Sequence, residues 1–311
     1  MLEGSIPQMK ILLIKQTSLG DVVHATAALR SVRLAHPDAR ITLLTSTTAS
    51  EIFINNLDLD TLITFDRYRV KSDWWRQPAW VFTHFYETWS LVRKYKYDLA
   101  IDLQGSWKTV IFLWSARSQN RYVKGRWLFA RRFHQPKIHA LDEMNGVLSL
   151  CDIPPRQLQP LLFVNKLDSN KAAEICAGLP LNGRKIALFC PFTRWQTKNW
   201  PLINFVDLVR AITDEFFVVF TGSKADRAKV NEATYMLSED QSINLAGELS
   251  LTTFFALTRT ADLVVTGDSL PMHVASAYDR PLIALFGPTD ENLVGPRNRR
   301  SIVIRQDKQC P

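Results

Sequence analysis

The stretch Ala261–Thr289 reads ADLVVTGDSLPMHVASAYDRPLIALFGPT. Its apolar run predicts a strand over Asp262–Thr266, then a turn at Gly267, Asp268 and Ser269, a short helix over Pro271–Tyr278 and a second strand over Pro281–Phe286. A second tight turn follows at Gly287, Pro288 and Thr289. Strand, helix and strand in that order make a βαβ unit, and open sheets built from such units take ligands outside the carboxyl ends of their strands. Both turns fall at those ends. The first carries Asp268, Ser269 and His273 around a helix N-terminus, whose free N–H groups and dipole favour a phosphate. The unit outlines a nucleotide-diphosphate pocket.

Outward from this unit the chain repeats the same alternation. Upstream lie a helix over Ser169–Leu179, strand KIALFC (Lys185–Cys190), a helix over Pro201–Thr213, strand FFVVFTG (Phe216–Gly222), a helix over Lys224–Leu237, the short SINLAG (Ser242–Gly247) and a helix over Thr252–Thr260. Nearer the start, KILLIK (Lys10–Lys15) predicts a buried parallel strand, followed by the turn QTSLGD and a helix over Asp21–Ala35 that ends before Pro37. Further strands are predicted at Ala39–Thr45, Thr61–Asp66 and Tyr97–Gly105, with a helix over Ala79–Lys94. The proline-bearing segment Asp152–Lys166 reads as a linker with an edge strand. The expected fold class is α/β: two Rossmann-like domains with parallel, doubly wound sheets, residues 9–160 and 161–311, facing each other across a cleft.

Composition narrows the function. The chain has 311 residues, 46% of them hydrophobic, enough for two cores. Its apolar runs are short, VIFLW (Val110–Trp114) being typical, and none approaches the roughly 18 residues needed to span a bilayer. The polar opening MLEGSIPQ reads as an appendage or an alternative start, with Met9 as the structural beginning. Four cysteines without a CxxC or a metal-like spacing point to a reducing cytoplasm. The net charge of +8 is lopsided: residues 1–160 hold 21 basic and 14 acidic side chains, and residues 161–311 hold 17 and 16. Residues 67–137 alone hold 15 basic and four acidic residues with seven of the nine tryptophans. The first half therefore faces something anionic. Trp74, Trp75, Trp80, Trp107 and Trp127 among arginines and lysines suit a phosphorylated glycolipid at a membrane surface. The bland alternative is that several tryptophans are core and the charges solvate faces. A nucleic-acid partner would leave a similar charge signature, but no helix-turn-helix, RRM or zinc pattern accompanies it, and none is expected.

Three blocks carry a likeness: KILLIKQTSLGDVVHATAALRSVR from Lys10, CPFTRWQTKNWPLINFVDLV from Cys190, and GDSLPMHVASAYDRPLIALFGPTDENLVGP from Gly267. YDLAIDLQGSWKT and HALDEMNGVLSL echo it. In order and spread, the chain resembles the lipopolysaccharide core heptosyltransferases, glycosyltransferase family 9, of GT-B fold. The resemblance implies an inverting, metal-independent transfer of L-glycero-D-manno-heptose from ADP-heptose onto the inner core of lipopolysaccharide, a Kdo- or heptose-bearing lipid A acceptor. It also implies a monomeric cytoplasmic enzyme held peripherally at the inner membrane, with no cofactor besides the donor substrate. The family's catalytic aspartate falls on Asp21, its phosphate-contacting lysine on Lys198, and its donor turn on Asp268, Ser269, Pro271 and His273. Leu270 stands where that turn usually has a glycine, which puts the sugar's identity in question. The chain ends at Gln309-Cys310-Pro311, about where the family's cysteine-containing segment begins, as if a last helix were missing.

Residue chemistry leaves alternatives beside these assignments. Asp21 is a general base for the acceptor hydroxyl, or a helix-start aspartate satisfying free N–H groups. A helix N-terminus makes a carboxylate a weaker base, so the resemblance decides between them. Lys198 neutralises a departing diphosphate in place of a metal, or is a surface lysine. Thr193, Lys198, Asp268, Ser269, Pro271, His273 and Thr289 are the candidate donor contacts, His273 lying one turn beyond Ser269. Ser18, Gly20 and Gln104 are candidate acceptor contacts, and Gly222 and Ser223 approach an adenosine in the same reading. Trp200 is expected to pack under its loop. Asp226 and Asp290 are isolated and no DxD pair occurs, so no metal site is expected. Two other readings stay open: a GT-B transferase using another nucleotide sugar, and a catalytically silent binder of anionic glycolipid.

Overall fold

The computed structural model of the protein describes residues 8–135 and 137–305. The expectations for the opening residues before Gln8 and for Gln309–Pro311 lie outside the described residues. The chain divides into two compact units between Phe163 and Val164.

The first unit runs β1 (Lys10–Ile14), α1 (Leu19–Ala35), β2 (Arg40–Ser46), β3 (Thr61–Phe65), α2 (Arg67–Asp73), α3 (Pro78–Arg93), β4 (Leu99–Asp102), α4 (Trp107–Ser115), β5 (Arg121–Lys124), β6 (Arg131–Phe133) and α5 (Ala140–Ser149). All neighbouring strands are parallel, in the order β3-β2-β1-β4-β5-β6. Order reverses at β1, so the crevice at the carboxyl ends of β1 and β4 is the topological switch point, where such sheets take ligands. KILLI holds the centre because its four aliphatic side chains are buried on both faces of the sheet. Leu12 and Ile14 pack with Val92 of α3 and Phe112 of α4 on one face. On the other, α1 buries eleven of its residues and packs beside α5.

The second unit runs α6 (Lys166–Ala177), β7 (Lys185–Cys190), α7 (Leu202–Ile212), β8 (Phe216–Phe220), α8 (Arg227–Thr234), β9 (Ser242–Asn244), α9 (Leu251–Thr260), β10 (Leu263–Gly267), α10 (Leu270–Ala277), β11 (Leu282–Phe286), α11 (Glu291–Val294) and β12 (Ser301–Arg305). Its order, β12-β11-β10-β7-β8-β9, is again parallel throughout and reverses in the same way, with β7 and β10 as the central pair. Phe205 and Val209 of α7 fill one face and Met272 and Ala275 of α10 fill the other.

The expected alternation holds for every strand named from the sequence except one. No edge strand occurs in the linker: residues 154–165 carry none, because Pro154, Pro155 and Pro160 offer no ladder N–H and the N–H groups of Gln157 and Leu161 donate instead to the Ser31 and Thr26 hydroxyls. The helix expected over Lys224–Leu237 is shorter and opens as a 3-10 turn over Lys224–Asp226. The run Val110–Trp114 is the body of α4.

Candidate functional site

Strand register sets the donor-side geometry. Thr266 of β10 lies beside Cys190 of β7, and Gly267 beside Leu285 of β11. The three chains therefore leave the sheet at one level, and Asp268, Lys198 and Thr289 come from three adjacent strand ends. Lys198 closes a 3-10 turn over Gln196–Lys198, and its Nζ donates to Asp268 Oδ2 at 2.6 Å. Thr289 Oγ1 donates to the same oxygen at 2.7 Å. Both members of the ion pair are largely shielded from water, so the pair is screened less than a surface bridge. One carboxylate oxygen thus fixes an ammonium and a hydroxyl at the edge where diphosphates bind in such sheets.

The loop that carries Lys198 is pinned from its own side. Asn199 Oδ1 accepts the Thr193 N–H at 2.8 Å, and Thr193 Oγ1 donates to the Trp195 carbonyl at 2.9 Å. Gly267 lets the loop sit on the strand end: a Cβ there would meet Thr193 Cγ2 at 2.9 Å and the Lys198 carbonyl oxygen at 3.4 Å. Trp200 makes an edge contact with Phe205, ring centroids 5.0 Å apart, which anchors the loop's far end on α7. Ser269 is the N-cap of α10, Pro271 is in its first turn and His273 is buried one turn on. Leu270 opens that helix half-buried. Ser223 is engaged locally: its N–H and hydroxyl both donate to Asp226 Oδ2, at 2.8 and 2.6 Å, to start the turn before α8.

In the first unit Ser18 caps α1 and Gly20 lies buried in its first turn. Asp21 is the third residue of the helix, and its Oδ2 accepts the Ser18 N–H and the Ser18 hydroxyl, both at 3.1 Å. The capping role weighed as the bland alternative is therefore real, and it fixes the carboxylate at the switch point. Gln104, a candidate acceptor contact, has a structural role beside that turn. Its Oε1 accepts the N–H groups of Gln16 and Thr17, at 2.9 and 2.8 Å, so its amide shapes the turn before Asp21. Gly105 follows with φ 66°, and a Cβ there would stand 1.8 Å from the Lys124 carbonyl oxygen, so only glycine fits.

Beneath that turn lies a charge network the sequence reading missed. Lys15 ends β1's run and Asp102 ends β4, and both are buried. Asp102 Oδ1 accepts the N–H groups of Gln104 and Gly105, at 2.8 and 3.0 Å. Burial pushes the Asp102 carboxyl up to about 6, against those hydrogen bonds and the nearby Lys15 charge. Burial likewise holds the Lys15 ammonium below the usual lysine range, opposed first by the charge of Asp21 and then by that of Asp102. Lys124, at the end of β5, pairs with Glu143 of α5. The available signal was a charged residue at the end of each of two buried strands, β1 and β4. Among the described residues no group of three or more histidine, cysteine or acidic side chains is placed to hold a metal ion.

Comparison with known proteins adds to this geometry. The profile of glycosyltransferase family 9 (heptosyltransferase) matches residues 86–311. Lipopolysaccharide heptosyltransferase 2 of Salmonella typhimurium is 34% identical over 173 residues, 53% of this chain and 49% of the relative. The chain thus spans about half the length of that curated relative in the match. The crystal structure of a family 9 glycosyltransferase from Veillonella parvula superposes with a TM-score of 0.84 at 22% identity, over 97% of this chain and 88% of that one. The structure of E. coli ADP-heptose LPS heptosyltransferase II superposes with a TM-score of 0.79 at 23% identity, over 95% and 90%. These likenesses establish the fold: two parallel six-stranded sheets with flanking helices, as in those GT-B proteins.

Proposed function

Because the chain belongs to glycosyltransferase family 9, the heptosyltransferase family, we propose that it transfers a heptose from ADP-heptose onto the inner core of a lipopolysaccharide precursor. The observation that carries this reading is the Lys198–Asp268–Thr289 knot at the switch point of the second sheet. It offers a fixed cation and a hydroxyl where a diphosphate's charge grows as the glycosidic bond breaks. Asp268 holds the ammonium in place before the donor arrives, so little reorganisation is needed at the moment of reaction.

In this reading the acceptor hydroxyl attacks the anomeric carbon from the side opposite the diphosphate. One C–O bond forms as the other breaks, the configuration inverts, and the hydroxyl proton passes to Asp21. The electron pair of the broken bond leaves on ADP, whose added charge meets Lys198 rather than a metal ion. Ser269, Pro271, His273 and Thr193 shape the donor's bed. Ser18 and Gly20 border the acceptor, and Gln104 sets the turn that presents Asp21. The protein acts as a cytoplasmic monomer at the inner membrane surface.

Isothermal calorimetry with ADP, GDP and UDP, followed by transfer assays from ADP-heptose with and without EDTA, tests the proposal. Preferential ADP binding and chelator-insensitive transfer are expected. Preference for another nucleotide would move the function to a different sugar donor, as Leu270 allows. Nucleotide binding to no member of the panel would sink it.

A further inference from the structure

We propose that the outward face of α3 and α4 docks this protein on an anionic phospholipid bilayer. A surface helix normally turns one apolar stripe inward and a polar face to water. These two helices are apolar on both sides. On α3, Thr88 and Val92 are buried, while Phe82 and Tyr86 are exposed and Trp89 stacks on Tyr86 with ring centroids 5.9 Å apart. On α4, Phe112 and Leu113 enter the core, while Trp107, Ile111 and Trp114, at i, i+4 and i+7, look outward. Phe82 is 73% exposed, Trp107 69% and Trp114 66%. The helices pack against each other over β3 and β4, and Arg93 Nη1 donates to the Ser115 carbonyl at 3.1 Å between their ends. The two outward stripes therefore form one patch, of the kind that marks a contact surface.

The charge around the patch chooses the partner. Arg76 lies over the Trp75 ring at 4.7 Å, Arg93 over Trp89 at 4.7 Å and Lys108 over Trp107 at 5.4 Å. Residues 67–137, which carry both helices, hold 15 cationic against four acidic side chains. Aromatic rings capped by cations fit the headgroup level of a membrane, the rings reaching toward the acyl boundary and the cations meeting lipid phosphates. A second copy would set the same cations against each other, which opposes a symmetric dimer through this face. None of the described helices is long and apolar enough to cross the bilayer, so the contact is made from one side.

The patch also reaches the turn that presents Asp21. Trp107 opens α4 three residues after Gln104, and Trp127 Nε1 donates to the Gly105 carbonyl at 2.8 Å, with exposed Leu128 beside it. Docking by this face brings the switch point of the first sheet to the lipid surface, where a bilayer-anchored saccharide would meet it. That consequence rests on the proposed function; the docking itself does not.

Sedimentation with vesicles of mixed phosphatidylglycerol and phosphatidylcholine, and with phosphatidylcholine alone, tests the proposal. The parent protein should pellet with the anionic vesicles and release as salt rises, and brominated lipid should quench its tryptophan emission. The double variant Phe82→Ser, Trp114→Ser should bind those vesicles about ten-fold more weakly. Tyr235→Ser, at an exposed aromatic of the second unit, should bind like the parent. Equal binding by parent and double variant would overturn the proposal. So would a parent that ignores anionic vesicles, or one in which the double substitution abolishes a dimer or oligonucleotide binding while vesicle binding is untouched. Transfer to a lipid-free saccharide should be the same in parent and double variant. A parent that transfers but does not dock counts against the surface alone, and a parent that docks but does not transfer counts against the enzyme reading alone.

Discussion

Lys198 and Asp268, seventy residues apart in sequence, form an ion pair of 2.6 Å between the ends of two adjacent strands. Asp268 Oδ2 carries the Thr289 hydroxyl as well, so three chain segments meet on one oxygen. An ammonium held this way is already desolvated and aimed, and an arriving diphosphate adds charge to a cation that does not have to be gathered from solvent. The same pair keeps the Lys198 loop on the sheet. A substitution therefore acts on binding and on local order together.

Lys198→Ala should weaken ADP binding by about 1.5–3 kcal/mol, the range for hydrogen bonds to charged groups, or roughly ten- to a hundred-fold in Kd. It should slow transfer as well, since the lost charge opposes the diphosphate most as the bond breaks. Lys198→Arg should recover part of the affinity. Calorimetric ADP binding equal to the parent's would remove Lys198 from the donor site.

Asp21→Asn separates capping from chemistry. The amide oxygen still accepts the Ser18 N–H, so the start of α1 survives and stability should drop by no more than about 1 kcal/mol, the worth of a first-turn negative charge. Transfer should fall by about 10²–10⁴, because an amide takes no proton. ADP affinity should hold. Retained turnover in this variant would leave Asp21 as a helix cap only.

What the sequence revealed follows from where each signal is stored. KILLI and FFVVF announce themselves because central parallel strands are buried on both faces. RYVK and RRF are short and polar, so β5 and β6 carry no such run, and β12 has only the three aliphatics of SIVIR, exposed at a sheet edge. WKTVIFLWS gave no helical period because its outward positions are apolar too. Asp268 and Lys198 were each legible from a turn after a strand, but their pairing depends on β7 lying next to β10. Lys15 and Asp102 became a network only once β1 and β4 were neighbours.

Gly267→Ala tests the seat of the donor loop. The added methyl would stand 2.9 Å from Thr193 Cγ2, and overpacking of this kind costs about 1–3 kcal/mol. The loop should lift, lowering the melting temperature and weakening ADP binding. Thr193→Ser removes the opposing methyl and keeps the hydroxyl that donates to Trp195, so Gly267→Ala with Thr193→Ser should recover much of both losses. Additive losses in the double variant would place the clash elsewhere.

Asp102 should give the fold a pH dependence of defined sign. Its carboxyl titrates at about 6 in the folded chain against 3.8 in the unfolded one, because burial disfavours the charge. Between those values the folded state keeps a proton that the unfolded state has released. Stability from this group is therefore greatest below about pH 4 and falls as pH rises through about 6, by an amount on the order of 3 kcal/mol. Asp102→Asn keeps an oxygen for the Gln104 and Gly105 N–H groups and removes the titration. Urea midpoints measured from pH 4 to pH 7 should decline less steeply in this variant than in the parent. Parallel profiles would show that the buried carboxyl keeps an ordinary pKa.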